Sequence, residues 1–173
     1  MPEENNDNLI NECRRIEEDC LYTAEAHYII AAGAGRVSFW VKLIPAGAAA
    51  VSGVALLSGA PNWVAWFSVI AGAAFALQSI MNPDKKNEEH SQAGKGYTAL
   101  KHESRSLYQT FYKEMDRNSF SNMVKILRER YNMIAKMTPQ TTVKAFEKGR
   151  KRIKTGRHTP DFKESEKGPL VKP

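Results

Sequence analysis

At 173 residues, 42% hydrophobic and 25% charged, with a mean hydropathy of -0.47, the chain has the averages of an ordinary soluble domain. Two cysteines are too few for a disulfide-stapled scaffold. The net charge of +6 is unevenly spread, with eight acids against Arg14, Arg15 and Arg36 in residues 1–38 and nearly all other basic residues after Pro83.

The N-terminal MPEENNDN is acidic and polar, so no cleavable signal peptide is expected, and the first hydrophobic segment would itself direct the chain to a membrane. From Asn8 to about Ala34, Ile10, Cys13, Ile16, Cys20, Leu21, Ala24, Tyr28 and Ala31 recur at steps of three and four. This predicts an amphipathic helix. Its other face carries most of the acids, so a partner helix suits it better than a lipid surface. Cys13 and Cys20 share its apolar face, about 10 Å apart. That is too far for a disulfide, and buried reduced thiols are expected. Gly33, Ala34, Gly35 and Arg36 predict a hinge, because no strand or third glycine completes a phosphate-binding loop.

Two apolar arms follow, Phe39–Gly59 and Trp63–Pro83, separated by Ala60, Pro61 and Asn62. Each has about 20 residues, enough for the ~30 Å hydrocarbon core of a bilayer. The only charge in the arms is Lys42, placed to snorkel. Trp40, Trp63 and Trp66 stand where an aromatic belt anchors membrane helices, and Pro45 falls early in the first arm, where it would kink the helix. Ala46, Ala49, Ala50 and Gly53 on the first arm, and Ser68, Gly72 and Ala76 on the second, are small residues of the kind that let membrane helices approach closely. Ala46, Ala50, Gly53, Ser68, Gly72 and Ala76 are the candidate packing and oligomerisation positions. Ser68, Ser79 and Asn82 are the candidates for facing a lumen, with Gln78 adjacent. The tip has no Lys or Arg, whereas Arg36, Lys42, Lys85, Lys86, Lys95 and Lys101 flank the arms. The positive-inside rule then places both ends in the cytoplasm, with the hairpin in the inner membrane.

Beyond Pro83, a helix is predicted to about Arg117, with Ala93, Tyr97, Leu100, Ser104, Leu107 and Phe111 forming a heptad-like seam for the first helix. Asn118 or Ser119 is the expected cap of another helix, with Phe120, Met123, Val124, Leu127, Tyr131 and Ile134 on one face. Thr138 and Pro139 would start a last short helix carrying Val143 and Phe146. Residues 144–157 hold seven basic side chains and one acid, which suits an anionic leaflet. Nucleic acid is not the expected partner, since no aromatics interleave for base stacking. The expected fold is an all-α membrane protein. An N-terminal cytoplasmic amphipathic helix spans 1–36. A two-transmembrane hairpin spans 37–83, with arms at about 39–59 and 63–82. Cytoplasmic helices packing as a small bundle span 84–147, and a basic flexible tail spans 148–173.

No G-x-S-x-G, Walker, H-E-x-x-H or paired-cysteine motif is present, which leaves no catalytic nucleophile to name, and neither an enzyme nor a bound metal or cofactor is expected. His27, His90, His102 and His158 show no metal-ligand spacing. Glu88, Glu89 and His90 are expected to form a solvated helix start.

The order of parts is distinctive: AEAHY (Ala24 to Tyr28), two spans with a minimal tip, then His90, Gly94, Tyr97, Leu100 and Glu103 in the pattern H-x3-G-x2-Y-x2-L-x2-E. Over about Asn8 to Met137 the chain resembles the SLATT family, the SMODS- and SLOG-associating two-transmembrane effector domains of prokaryotic conflict systems. The resemblance implies a pore-forming or membrane-disrupting effector, switched on by a nucleotide messenger or a partner sensor, that causes growth arrest or cell death in antiviral defence. The synthase or sensor would be encoded separately. His27, His90, Gly94, Tyr97, Leu100 and Glu103 are the family-like positions, with helix packing as their expected role. A homo-oligomer is expected, because one hairpin cannot enclose water. The alternative is a non-conducting anchor or scaffold whose cytoplasmic helices recruit a partner, and a soluble bundle with an unusually apolar hairpin is a third.

Overall fold

The computed structural model describes residues 6–59 and 61–156. Helix α1 spans Asp7–Leu57, α2 Ala65–Met81, α3 Pro83–Gln109, α4 Arg117–Met137 and α5 Val143–Lys154, with short 3-10 turns at Asn62–Val64 and Phe111–Glu114. Among the described residues there is no strand. The basic flexible tail expected over 148–173 is instead helical as far as Lys154, where it forms the end of α5, and its residues beyond 156 lie outside the described residues.

The largest departure from expectation is at residues 33–36, where no hinge forms. α1 is one helix of 51 residues, about 76 Å long at 1.5 Å per residue. Gly33 and Gly35 each cost about 1 kcal/mol relative to Ala in a helix. Ala31, Ala32 and Ala34 restore local propensity, and Ala31 and Ala34 are buried. Gly35 also relieves a close approach, since a Cβ there would lie 3.3 Å from the Asn87 side chain on α3. The helix likewise continues through the buried Pro45.

α1 and α2 fold back as a hairpin, and α1 and α3 form the longest helix–helix contact. The buried core is Cys13, Ile16, Cys20 and Ala24 of α1, Tyr97, Leu100 and Leu107 of α3, and Phe120, Val124 and Leu127 of α4. α3 ends at Gln109, short of the expected Arg117; of the seam predicted on it, Tyr97, Leu100 and Leu107 join this core and Ala93 and Ser104 are buried, whereas Phe111, in the 3-10 turn beyond the helix, is exposed. The acidic face of α1 also finds partners: Glu12 binds Arg128 at 2.5 Å, Glu17 binds Arg105 at 2.8 Å, and Glu25 binds Arg152 at 2.9 Å. Cys13 and Cys20 are free and buried. Desolvation pushes their thiols up to about 11 and about 12, so both stay protonated.

Two caps differ from expectation. α4 starts from Asp116, whose carboxylate accepts from the Ser119 backbone N–H and hydroxyl and, being ionised, is favoured over a neutral side chain at a helix N-terminus. α5 starts from Thr142, not Thr138 or Pro139. The Thr138 backbone is extended and its hydroxyl lies near Tyr97, so residues 138–142 link the two helices.

α2 and α3 meet at one residue. Asn82 adopts φ 39° and ψ 59°, and its side chain accepts from the Lys85 backbone N–H while Pro83 occupies the first helical turn. Asn tolerates the left-handed region better than other side-chain-bearing residues. Asn82→Ala should therefore lose ~2 kcal/mol, from backbone strain and the lost cap, whereas Asn82→Gly should lose only a few tenths. Denaturant unfolding of the full chain in micelles measures both, and equal losses would refute the assignment.

Candidate functional site

The apolar arms leave their large side chains on the outside. Trp40, Ile44, Val51 and Val54 of α1, and Trp66, Ile70, Phe75 and Ile80 of α2, are exposed, with Leu57 at 91% and Ile80 at 81%. Few residues of either apolar stretch are buried. A soluble core helix would show the reverse. The helical stretches Asp7–Leu57 and Asn62–Gln109 are each long and apolar enough to span a membrane.

Between the arms runs a narrow polar seam. Pro45 and Ser52 on α1 and Ala71 and Gln78 on α2 are its buried residues, each pair seven positions apart. Ser52 donates to the Ala49 carbonyl at 3.1 Å, so Ser68 donates to Ser52 at 2.5 Å. Ser68, expected on a lumen, is thus engaged within the hairpin. Ser79 faces outward, and Asn82 is the cap described above. Ala46, Ala50, Gly53, Gly72 and Ala76 are exposed, and a Cβ added at Gly53 or Gly72 would meet nothing within 4 Å. The small-residue faces are therefore outside the single hairpin.

Lys42 does not extend alone. Its ammonium donates to Asp84 at 2.6 Å and the Ser38 hydroxyl donates to the same carboxylate at 2.5 Å. Hydrogen bonds from Lys42 and then Ser38 hold the Asp84 carboxyl below its usual range. These contacts fasten the α2–α3 joint to α1.

Below the joint lies a buried aromatic cluster. His27 is 1% exposed and His90 is also buried, so His90 is not part of a solvated helix start; the long α1 covers it. Their Nδ1 atoms are 2.9 Å apart. Two neutral imidazoles bonded in this way must be opposite tautomers, one donating from Nδ1 and the other accepting there. Burial, then the neighbouring His90, lowers His27 to about 4. His90 is lowered by burial and by Lys86, with Glu89 opposing. Tyr97 stacks on His27 at 5.6 Å between centroids, and its hydroxyl lies 3.4 Å from that of Thr138. A cleft of about 310 Å³ opens beside His27 and Tyr97, rimmed by Thr23, Ala135, Thr138 and Gln140.

Gly94 sits where α3 packs closely against Tyr28 of α1. A Cβ there would lie 2.8 Å from Tyr28 Cε1. Thr98 donates to the Gly94 carbonyl at 2.8 Å, so Tyr28 donates to Thr98 at 3.2 Å. Gly94→Ala is expected to displace the Tyr28 ring and cost ~2 kcal/mol; a denaturation midpoint equal to the parent's would count against it. Leu100 is fully buried, and Glu103 forms a two-pronged pair with Arg130 on α4.

The family-like positions thus converge on the α1–α3 interface, apart from Glu103, which ties α3 to α4. Sequence reasoning missed the His27–His90 bond, the Ser38–Asp84–Lys42 fastening and the Ser52–Ser68 bond. Folding the chain back about its tip would have found all three. Among the described residues no three His, Cys, Asp or Glu side chains converge as a metal site. No protein-family model, curated protein or solved structure matches the chain.

Proposed function

We propose that the protein is a membrane-spanning, pore-forming or membrane-disrupting effector of a prokaryotic conflict system, as its resemblance to the SLATT family implies. The outward-facing apolar surface of α1 and α2 carries this reading. In water such a surface would drive aggregation; in lipid it is the natural exterior. Both ends of the hairpin lie in the cytoplasm, and the bundle of α1, α3, α4 and α5 receives the trigger, a nucleotide messenger or a partner sensor. No catalytic step is required of the chain.

A pore needs several copies. Ala46, Ala50, Gly53, Gly72 and Ala76 supply free small-residue faces for close helix approach between copies. The test is membrane potential in cells expressing the chain with and without the genes neighbouring its own. Depolarisation that requires both is expected, and an unchanged potential under full activation would sink the proposal. One observation favours the second reading, a non-conducting anchor: Phe111, Met123 and Ile126 expose apolar surface along a groove of about 420 Å³ between α3 and α4. An anchor would recruit its partner there and leave the potential unchanged.

A further inference from the structure

α5 carries six basic residues and one acid in 12 positions. It buries Ala145 and Gly149, and Gly149 permits the close approach to α1, since a Cβ there would lie 3.2 Å from Glu25 Cγ and 3.4 Å from the Ala26 nitrogen. Phe146 meets Tyr22 at 6.0 Å between ring centroids. The step from Phe146 to Gly149 along α5 therefore matches the step from Tyr22 to Glu25 along α1. The helices run parallel, and α5 points toward the hairpin.

Continuing that register sets Lys154 beside Ile30, nine residues before Phe39, or about 13 Å along the helix. A headgroup layer ~7 Å thick fills about half of that distance. The remainder is shorter than a Debye length of ~8 Å. Lys148, Arg150, Lys151 and Lys154 are exposed, and among the described residues none of them pairs with a carboxylate; Arg152, by contrast, is engaged by Glu25. The one aromatic residue of α5, Phe146, packs toward Tyr22, which leaves no stacking platform for bases.

We propose that α5 binds the anionic phospholipids of the leaflet from which the hairpin rises, through Lys148, Arg150, Lys151 and Lys154. This rests on the membrane-spanning reading above. Each basic side chain near such a surface adds attraction that salt weakens. Because α5 is seated on α1 at Glu25 and Ala26, next to His27, leaflet charge bears directly on the bundle.

The test is hydrogen exchange of the full chain in nanodiscs of phosphatidylcholine alone or with about 30% phosphatidylglycerol. α5 amides are expected to exchange about tenfold more slowly in the anionic discs. K148Q/R150Q/K151Q/K154Q should remove that difference while leaving α1–α3 protection intact, as should salt at about 0.5 M. Equal α5 exchange in both discs, or protection that the quadruple variant retains, overturns the proposal. So does equal protection by a duplex oligonucleotide in neutral discs, which would assign α5 to nucleic acid. Slow exchange in the two arms, observed in the same experiment, separates the readings: free exchange there defeats the membrane-spanning reading, whereas protected arms with lipid-independent α5 defeat only this inference.

Discussion

Gly72→Leu is expected to abolish trigger-dependent depolarisation, by tenfold or more, while the protein still inserts and folds. Gly72 is exposed on α2, and nothing lies within 4 Å of where its Cβ would be. In the single chain a leucine is therefore accommodated, and its helix propensity is better by about 1 kcal/mol. Between copies the same side chain holds the backbones apart and removes the close contact on which small-residue helix association depends. Loss of activity would then come with unchanged or improved stability, the reverse of an ordinary folding defect. Ala71→Leu gives the contrast, because Ala71 is buried in the seam against α1 and leucine there would spread the hairpin itself. Membrane potential, carbonate extraction and denaturant unfolding on both variants decide the matter. Full depolarisation by Gly72→Leu would exclude that face from assembly.

Acidification is expected to destabilise the bundle between about pH 6.5 and pH 4. His27 falls from an ordinary 6.5 to about 4 in the folded chain. The unfolded chain therefore binds a proton that the folded chain refuses across this window. Stability from the neutral pair is complete above the unfolded value and is lost as pH falls toward the folded one. The loss is on the order of 3 kcal/mol if the interval is traversed. Protonating the accepting Nδ1 would also set two N–H groups face to face. Lys86 opposes protonation of His90, and Glu89 favours it. Replacing both rings, as in His27→Leu with His90→Leu, removes donor and acceptor together and so leaves no unpaired polar group. That variant should unfold in micelles with a flat profile over this range. A profile as steep as the parent's would show that other groups carry the acid sensitivity.

Much of the helical pattern was legible because it depends on periodicity. Cys13, Ile16 and Cys20, and Tyr97, Leu100, Ser104 and Leu107, announced their buried faces by steps of three and four. The arms announced themselves by composition. The continuity of α1 was not legible: Gly33 and Gly35 argue locally for a break, and the approach of Asn87 on α3 to Gly35 is set by the fold and not by local pattern. Caps were missed where a neighbouring residue had the stronger acceptor, as Asp116 does. The polar contacts join residues 16 to 63 positions apart, a separation at which local pattern is silent and topology decides. At the candidate site, the sequence marked His27 and His90 separately, but their bond exists because the tip near residue 60 sets which turns of α1 and α3 are level.

An unbroken α1 makes the bundle and the first arm one shaft. In a helix each residue contributes 1.5 Å of length and 100° of phase, so the azimuth of Glu25 fixes the azimuth of Ala46 and Gly53. Where α5 grips α1 at Glu25, the same helix carries on into the arm without a break. The other half of the hairpin changes helix at Asn82, where Ser38 and Lys42 pin the corner to α1 through Asp84. The two halves are thus built unlike, one a single continuous helix and the other two helices joined at a pinned corner, and the phase of α1 sets which sides of its arm meet neighbouring molecules.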